Sequence, residues 1–403
     1  MSIDYRGAIS SLLERVRPLG TEIRDLDEAY GRILSEDCCA KEDVPSFDRS
    51  PYDGYAFRAS DTERASENDP VILRVVDSIR AGTVSQREVK KGEAVRLMTG
   101  SAIPVGADSV CKFEDTVSDG ESVTVFKSYS PGENIVSAGE DITRGTVVLK
   151  KGIKVDPGTL GVLSSLGIYS VPLYKRPLAG IITTGDEVVD REEELPNGKI
   201  RDTNRYSIAA ALRKIGIDTV FLGHAGDRIP DITELIRKGE ASCDILISTG
   251  GVSVGDYDLI PEVLEKASYG IFLNGIGMKP GMACVFGEKK DFLFLGLSGN
   301  PASSVTTLQC ICYPALRKMS GRKDYEHEIV QFRAEKDFPK KGGKYTRFLR
   351  GRSLIHDGIL YLDIPGSQGN SVLSSMVSIN AYGIVPALSR PVKKGDVIEG
   401  FFV

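Results

Sequence analysis

The sequence predicts a multidomain α/β protein, on three observations. Its 403 residues, 41% hydrophobic and 27% charged, exceed what a single hydrophobic core usually holds. From roughly 176 to 320 the chain repeats one pattern: an apolar β-branched run, a polar loop, then helical spacing. Outside that stretch, short β-like segments alternate with turns. In chain order, Ile9, Leu12, Leu13 and Val16 form one apolar stripe, which predicts an opening helix of about four turns. A second helical stretch is expected through Ile33. From roughly 46 to 138 the pattern is short strands with turns such as Lys91-Gly92 and Asp119-Gly120, which suggests a small inserted β domain. Helical spacing returns at Leu160, Leu163 and Leu166, and Tyr345 to Arg350, Ile359 to Ile364 and Ile384 to Pro386 are strand-like.

The central stretch carries the chemistry. Leu178 to Thr183 stops at Thr184, Gly185, Asp186 and Glu187. Asp202, Thr203 and Asn204 precede a helix whose inner face is Ile208, Ala209, Leu212 and Ile215, with Asn204 its expected N-cap. Thr219 to Leu222 leads to Gly226 and Asp227. Ile245 to Ile247 breaks into Gly250, Gly251, Ser253, Gly255, Asp256 and Asp258 before helical spacing resumes at Leu259. Ile271 to Ile276 leads to Lys279, Pro280 and Gly281, and Phe292 to Leu297 leads to Ser298, Gly299, Asn300 and Pro301. Five polar loops thus follow strands, the edge at which open α/β sheets bind ligands. The glycines would let backbone N–H groups approach an anion, and the carboxylates are hard oxygen ligands suited to a magnesium-type cation. Phosphate chemistry is the expectation. Taken singly, each residue also fits a plainer role, such as Asp227 as a loop cap before Pro230 or Lys279 as a solvated surface lysine.

Composition removes several function classes. No run is long enough to cross a bilayer and the first residues lack an apolar signal core, so a cytoplasmic protein is expected. Seven cysteines without a C-x-x-C pair argue against a disulfide framework or a zinc site, and Cys310 and Cys312 fit a helical core. His224, His327 and His356 are too scattered to suggest a histidine-bound metal. A net charge of −5 disfavours nonspecific nucleic-acid binding.

The motifs TGDE at 184–187, DTN at 202–204, GGVSVG at 250–255, KPG at 279–281 and GNP at 299–301 together resemble the molybdopterin molybdenumtransferase family, which includes MoeA and the gephyrin E domain. SPYDGYA at 50–56, MTG at 98–100, GEDI at 139–142 and GSQ at 366–368 with Ser374 and Ser375 resemble that family's terminal signatures, so the likeness spans essentially the whole chain. It implies a central three-layer α/β domain at 176–327. The rest would be an elongated N-terminal domain at 1–45 plus 139–175 with a mainly β insert at 46–138, and a C-terminal β-barrel-like domain at 328–403.

The implied reaction inserts molybdate into adenylylated molybdopterin with magnesium and releases AMP. On the resemblance, Asp186, Glu187, Asp227 and Asp258 serve the metal and phosphate region, and Lys279 faces the oxyanion. Thr184, Gly185, Gly250, Gly251, Ser253, Gly255, Pro280, Gly299, Asn300, Pro301 and Ser375 follow the nucleotide or pterin. Asp53, Thr99 and Asp141 would complete the site from the second subunit of a homodimer. Molybdopterin adenylyltransferase and molybdoenzymes are the implied protein partners, with neither nucleic acid nor membrane. Three departures are visible: Ser298 where many relatives have proline, Met282-Ala283 where Lys-Pro is common, and Gly275 at a position basic in some. They leave tungstate open as the oxyanion, and the gephyrin E domain keeps a receptor-binding scaffold as the rival class.

Overall fold

The computed structural model describes residues 3–189, 194–253, 258–338 and 343–403. Its centre is a six-stranded sheet in the order Asp218–Ala225, Leu178–Thr184, Ile245–Thr249, Phe292–Leu297, Cys284–Lys289, Gly270–Asn274. The first four strands are mutually parallel and Cys284–Lys289 runs against its two neighbours. Burial on both faces explains why the inner strands Leu178–Thr184, Ile245–Thr249 and Phe292–Leu297 are mostly apolar. Ile181, Ile247 and Leu295 pack on one face with Ile208 and Leu212 of the helix Asn204–Lys214 and with Leu308 and Leu316 farther on. Ile182, Leu246 and Phe294 pack on the other with Ile232 and Ile236 of Ile229–Ser242 and Val263 and Leu264 of Ile260–Lys266. The result is the three-layer α/β arrangement.

The C-terminal strands close on themselves. Thr346–His356 pairs with Ile359–Asp363, then come Val330–Ala334, Val397–Phe402 and Ala381–Val385, which pairs back onto Thr346–His356. Leu349, Leu362, Phe332 and Ile398 fill this five-stranded barrel. Phe348, Tyr382 and Phe401 alternate with such inward positions and join the core of the central sheet. The opening helix, Tyr5–Arg15, is capped by Asp4, whose carboxylate accepts the Gly7 N–H at 2.7 Å, and buries Ala8 and Leu12 in that same core. It has 11 residues, about three turns rather than four.

The expected second helix is a strand. Thr21–Asp25 pairs antiparallel with Ser170–Tyr174, and only a short 3-10 turn, Leu26–Glu28, follows. The ribbon strand is almost wholly exposed, so no apolar periodicity marks it.

The chain divides into two compact units, one of Met1–Glu36, Gly152–Asp156 and Ser170–Val403, the other of Asp37–Lys151 and Pro157–Tyr169. The second unit holds a six-stranded sheet in the order Ser109–Lys112, Gly54–Phe57, Glu93–Leu97, Val71–Ile79, Ser122–Val125, Thr116–Ser118. Tyr55, Phe57, Leu73 and Val123 pack on one side of it, Ala56, Val95, Leu97 and Val110 on the other. Among the described residues no helix is long and apolar enough to cross a membrane.

Candidate active site at the carboxyl edge of the central sheet

The strand-end loops meet around one cavity of about 320 Å³, within the range of small-molecule sites. Thr184, Gly185 and Glu187 enter from the first loop, Asp227 from the second, and Gly250, Gly251, Val252, Ser253 and Asp258 from the third. Ala283, Ser298, Gly299 and Asn300 complete the wall. Three carboxylates line the cavity, and no lysine or arginine does among the described residues. Gly255 and Asp256 lie outside the described residues.

Gly250 acts differently from expectation. The Gly250 N–H is already bonded to the Leu297 carbonyl at 3.0 Å and the Gly185 N–H to the Ala225 carbonyl at 3.2 Å, so neither is open to an anion. What Gly250 supplies is the absence of a side chain. With φ +100, a Cβ there would come within 2.6 Å of the Thr184 hydroxyl oxygen. The fourth wall is fixed from behind. Asn204, 8% exposed, donates from Nδ2 to the Gly299 carbonyl at 2.8 Å and accepts from the Ser304 hydroxyl at 3.3 Å. It is therefore not the helix cap; the N-cap position is Thr203, which makes no side-chain cap bond, and the Asp202 carboxylate before it accepts the Arg205 N–H at 3.0 Å. Asp202 also accepts from the Thr183 hydroxyl at 3.1 Å. Ser298, the departure from proline, accepts the Asn300 N–H on its Oγ at 3.2 Å, a bond that proline cannot make.

The remaining expected residues lie elsewhere. Asp186 is outside the cavity lining; its carboxylate accepts the Asp227 N–H at 3.2 Å, and the Asp186 N–H bonds Asp227 Oδ2 at 3.4 Å. Lys279, exposed, sits on the short strand Met278–Lys279, which pairs with Thr346 and Arg347 of the barrel. Pro280 is buried beside it, and Pro301 opens the helix Pro301–Thr307 behind Asn300. Ser375, 5% exposed, donates to the Val372 carbonyl at 2.6 Å on the barrel side. In the second unit, Asp53 Oδ1 accepts both the N–H and the hydroxyl of Thr99, at 2.6 and 2.8 Å. Those two bonds hold its carboxyl below the usual carboxylate range. Asp141 is exposed, its N–H bonded to the Val44 carbonyl.

One residue was missed. Arg350, on the barrel strand, is fully buried; only Nη2 is bonded, to the Gly369 carbonyl at 3.0 Å, while Nε and Nη1 have no partner. Burial without a carboxylate pulls its pKa down, and such a group asks for an acceptor. The strand also carries Arg347 and Arg352, so nothing local in the sequence marked Arg350 as the buried one.

Residues 3–167 match the MoeA N-terminal region (domains I and II), 180–318 the probable molybdopterin binding domain, and 331–400 the MoeA C-terminal region (domain IV). A molybdopterin molybdenumtransferase of Staphylococcus epidermidis is 33% identical, over 99% of this chain and 96% of its own length. The chain belongs to the molybdopterin molybdenumtransferase family. A second family member, from Bacillus subtilis, is 36% identical over 94% of this chain and 89% of its own. The molybdopterin biosynthesis moeA protein of Pyrococcus horikoshii OT3 superposes over the whole of both chains with a TM-score of 0.86 at 31% identity. For this family member the carboxyl-edge cavity is the candidate active site.

Proposed function

We propose that this chain is a molybdenum-transferring enzyme of molybdenum cofactor biosynthesis, which takes adenylylated molybdopterin and molybdate, inserts the metal at the dithiolene and releases AMP. The observation that carries this reading is the cavity wall of Glu187, Asp227 and Asp258, which among the described residues includes no lysine or arginine. A phosphate charge about 6 Å from one carboxylate meets roughly 3 kcal/mol of repulsion at an effective dielectric near 20. Three such carboxylates make sense only if a cation accompanies the phosphate.

Among the described residues no group of three or more His, Cys, Asp or Glu side chains stands close enough to hold a metal unaided. That fits magnesium, which takes one or two carboxylates, keeps its waters and draws its other ligands from substrate phosphates. One or two of Glu187, Asp227 and Asp258 would hold it. When bound it supplies positive charge against the phosphate oxygens. The chain's own part is to orient the substrate: Gly250 and Gly251 admit it closely, and Asn204 fixes the Gly299 wall. Lys279 is our candidate for the oxyanion side.

Asp53, Thr99 and Asp141 belong, on this reading, to the site of the second subunit in a homodimer. The chain would act in the cytoplasm between an adenylyltransferase that supplies its substrate and the molybdoenzymes that take its product. The scaffold alternative gains nothing from a cavity walled by carboxylates. Following AMP release against magnesium concentration after chelation tests the cation. Release should vanish without a divalent cation and return with magnesium, and release that chelation leaves unchanged would remove the metal from the reading.

A further inference from the structure

Far from the carboxyl-edge cavity lies a recess of opposite charge. It opens past the C-terminal end of Asn204–Lys214, the helix whose Asn204 holds the Gly299 wall, so 11 residues, about 16 Å of helix, separate the two. Arg32, Lys154, Lys175, Arg176 and Arg322 line it, and among the described residues no carboxylate does. Outer partners offset three of these cations: Glu22 at 2.5 Å from Arg32, Asp218 at 3.9 Å from Arg176, and Asp324 beside Arg322. Lys154 and Lys175 have no such carboxylate among the described residues. Two helices, Asn204–Lys214 and Tyr313–Met319, end at the recess, and each C-terminus brings roughly half a negative charge. About one positive charge is left over.

Arg32 is anchored within the recess. Arg32, 8% exposed, donates from Nη2 to Glu22 and to the Tyr174 carbonyl at 2.9 Å, while its buried Nε has no acceptor. The enclosed volume is about 20 Å³, and one water-sized atom needs roughly 10–15 Å³. It therefore seats a single oxygen.

We propose that this recess binds a tetrahedral phosphate oxyanion, with one oxygen held inside and the others turned toward Lys154 and Lys175. The ligand is either free inorganic phosphate or the phosphate of a monoester. The inference is independent of the reaction proposed above.

Isothermal titration of the full chain at constant ionic strength, with inorganic phosphate and separately with ribose 5-phosphate, tests it. The wild type should bind at least one of them with a dissociation constant of about 1 mM or tighter. The double variant Lys154→Gln/Lys175→Gln replaces exposed side chains and keeps the fold, and it should weaken that binding at least about tenfold. Tighter binding of the monoester would identify it as the occupant, and binding of phosphate alone would identify the free ion. No binding of either probe to the wild type, or equal affinity in the double variant, would overturn the proposal.

Discussion

Asp186 and Asp227 hold one another: the backbone N–H of each bonds the carboxylate of the other, at 3.4 and 3.2 Å. The pairing ties the loop after Leu178–Thr184 to the loop after Asp218–Ala225. Lys199 braces it by donating to the Asp186 carbonyl at 2.5 Å. Asp227 thus has two tasks, as a loop tie and as part of the cavity wall.

The two tasks separate by substitution. Asp227→Asn keeps an oxygen that accepts the Asp186 N–H, so its unfolding free energy should stay within about 0.5 kcal/mol of wild type, whereas Asp227→Ala should lose about 1 kcal/mol. Both should lose AMP release at limiting magnesium, because both lose the charge. Urea denaturation and AMP assays of the pair decide it; full release by Asp227→Asn would leave Asp227 with the structural task alone.

Gly281 should tolerate no side chain. Its φ is +96, and a Cβ would come within 2.0 Å of the Thr307 hydroxyl oxygen and 3.3 Å of the Ser303 carbonyl. Gly281→Ala should cost about 2–4 kcal/mol in urea denaturation, from steric strain and the unfavourable backbone together. Adding Thr307→Ala should recover only part, since the backbone strain remains.

Stability should fall on mild acidification because of His327. Burial first, and then the nearby Arg317 charge, push its pKa down from 6.5 to about 4. The unfolded chain therefore binds the proton more readily than the folded one between those values. The neutral ring's contribution is fully present above 6.5 and is lost as pH falls toward 4, by about 3 kcal/mol. His327→Phe keeps a ring stacked on Phe401, which now lies 3.9 Å from the imidazole, and should flatten the profile in that window. Denaturation midpoints at a series of pH values measure the difference.

How much of this was legible in the sequence depended on whether a residue's role was local. Runs such as Leu178–Thr184 and Ile245–Thr249 were readable because burial on both faces leaves apolar and small hydroxyl residues without a charge. The loops that end them were readable as breaks in those runs. Thr21–Asp25 was not, since an exposed ribbon strand carries no periodic signature. Asn204 looked like a cap because asparagine before a helix usually is one, yet a distant carbonyl, Gly299, claims its side chain. The Asp186 and Asp227 pairing, the Gly250 N–H bonded to Leu297 and the unpartnered Arg350 all depend on segments brought together only by folding.

A shared site predicts complementation. Inactive Asp53→Ala and Asp258→Ala homodimers, mixed in equal amounts under conditions of subunit exchange, should regain about a quarter of wild-type activity, because about half of the dimers become heterodimers and one of the two clefts in each is intact. No recovery despite verified exchange would assign Asp53 and Asp258 to one chain's site.

The most direct measurement incubates the purified chain with adenylylated molybdopterin, magnesium and molybdate, and follows AMP release and molybdenum incorporation together in wild type and Asp258→Ala. The wild type should yield AMP and incorporated molybdenum in equal amounts, and Asp258→Ala should yield neither while unfolding at the same denaturant concentration. Wild-type rates in Asp258→Ala, or AMP formed without molybdenum uptake by the wild type, would contradict a carboxylate-walled site for molybdenum transfer.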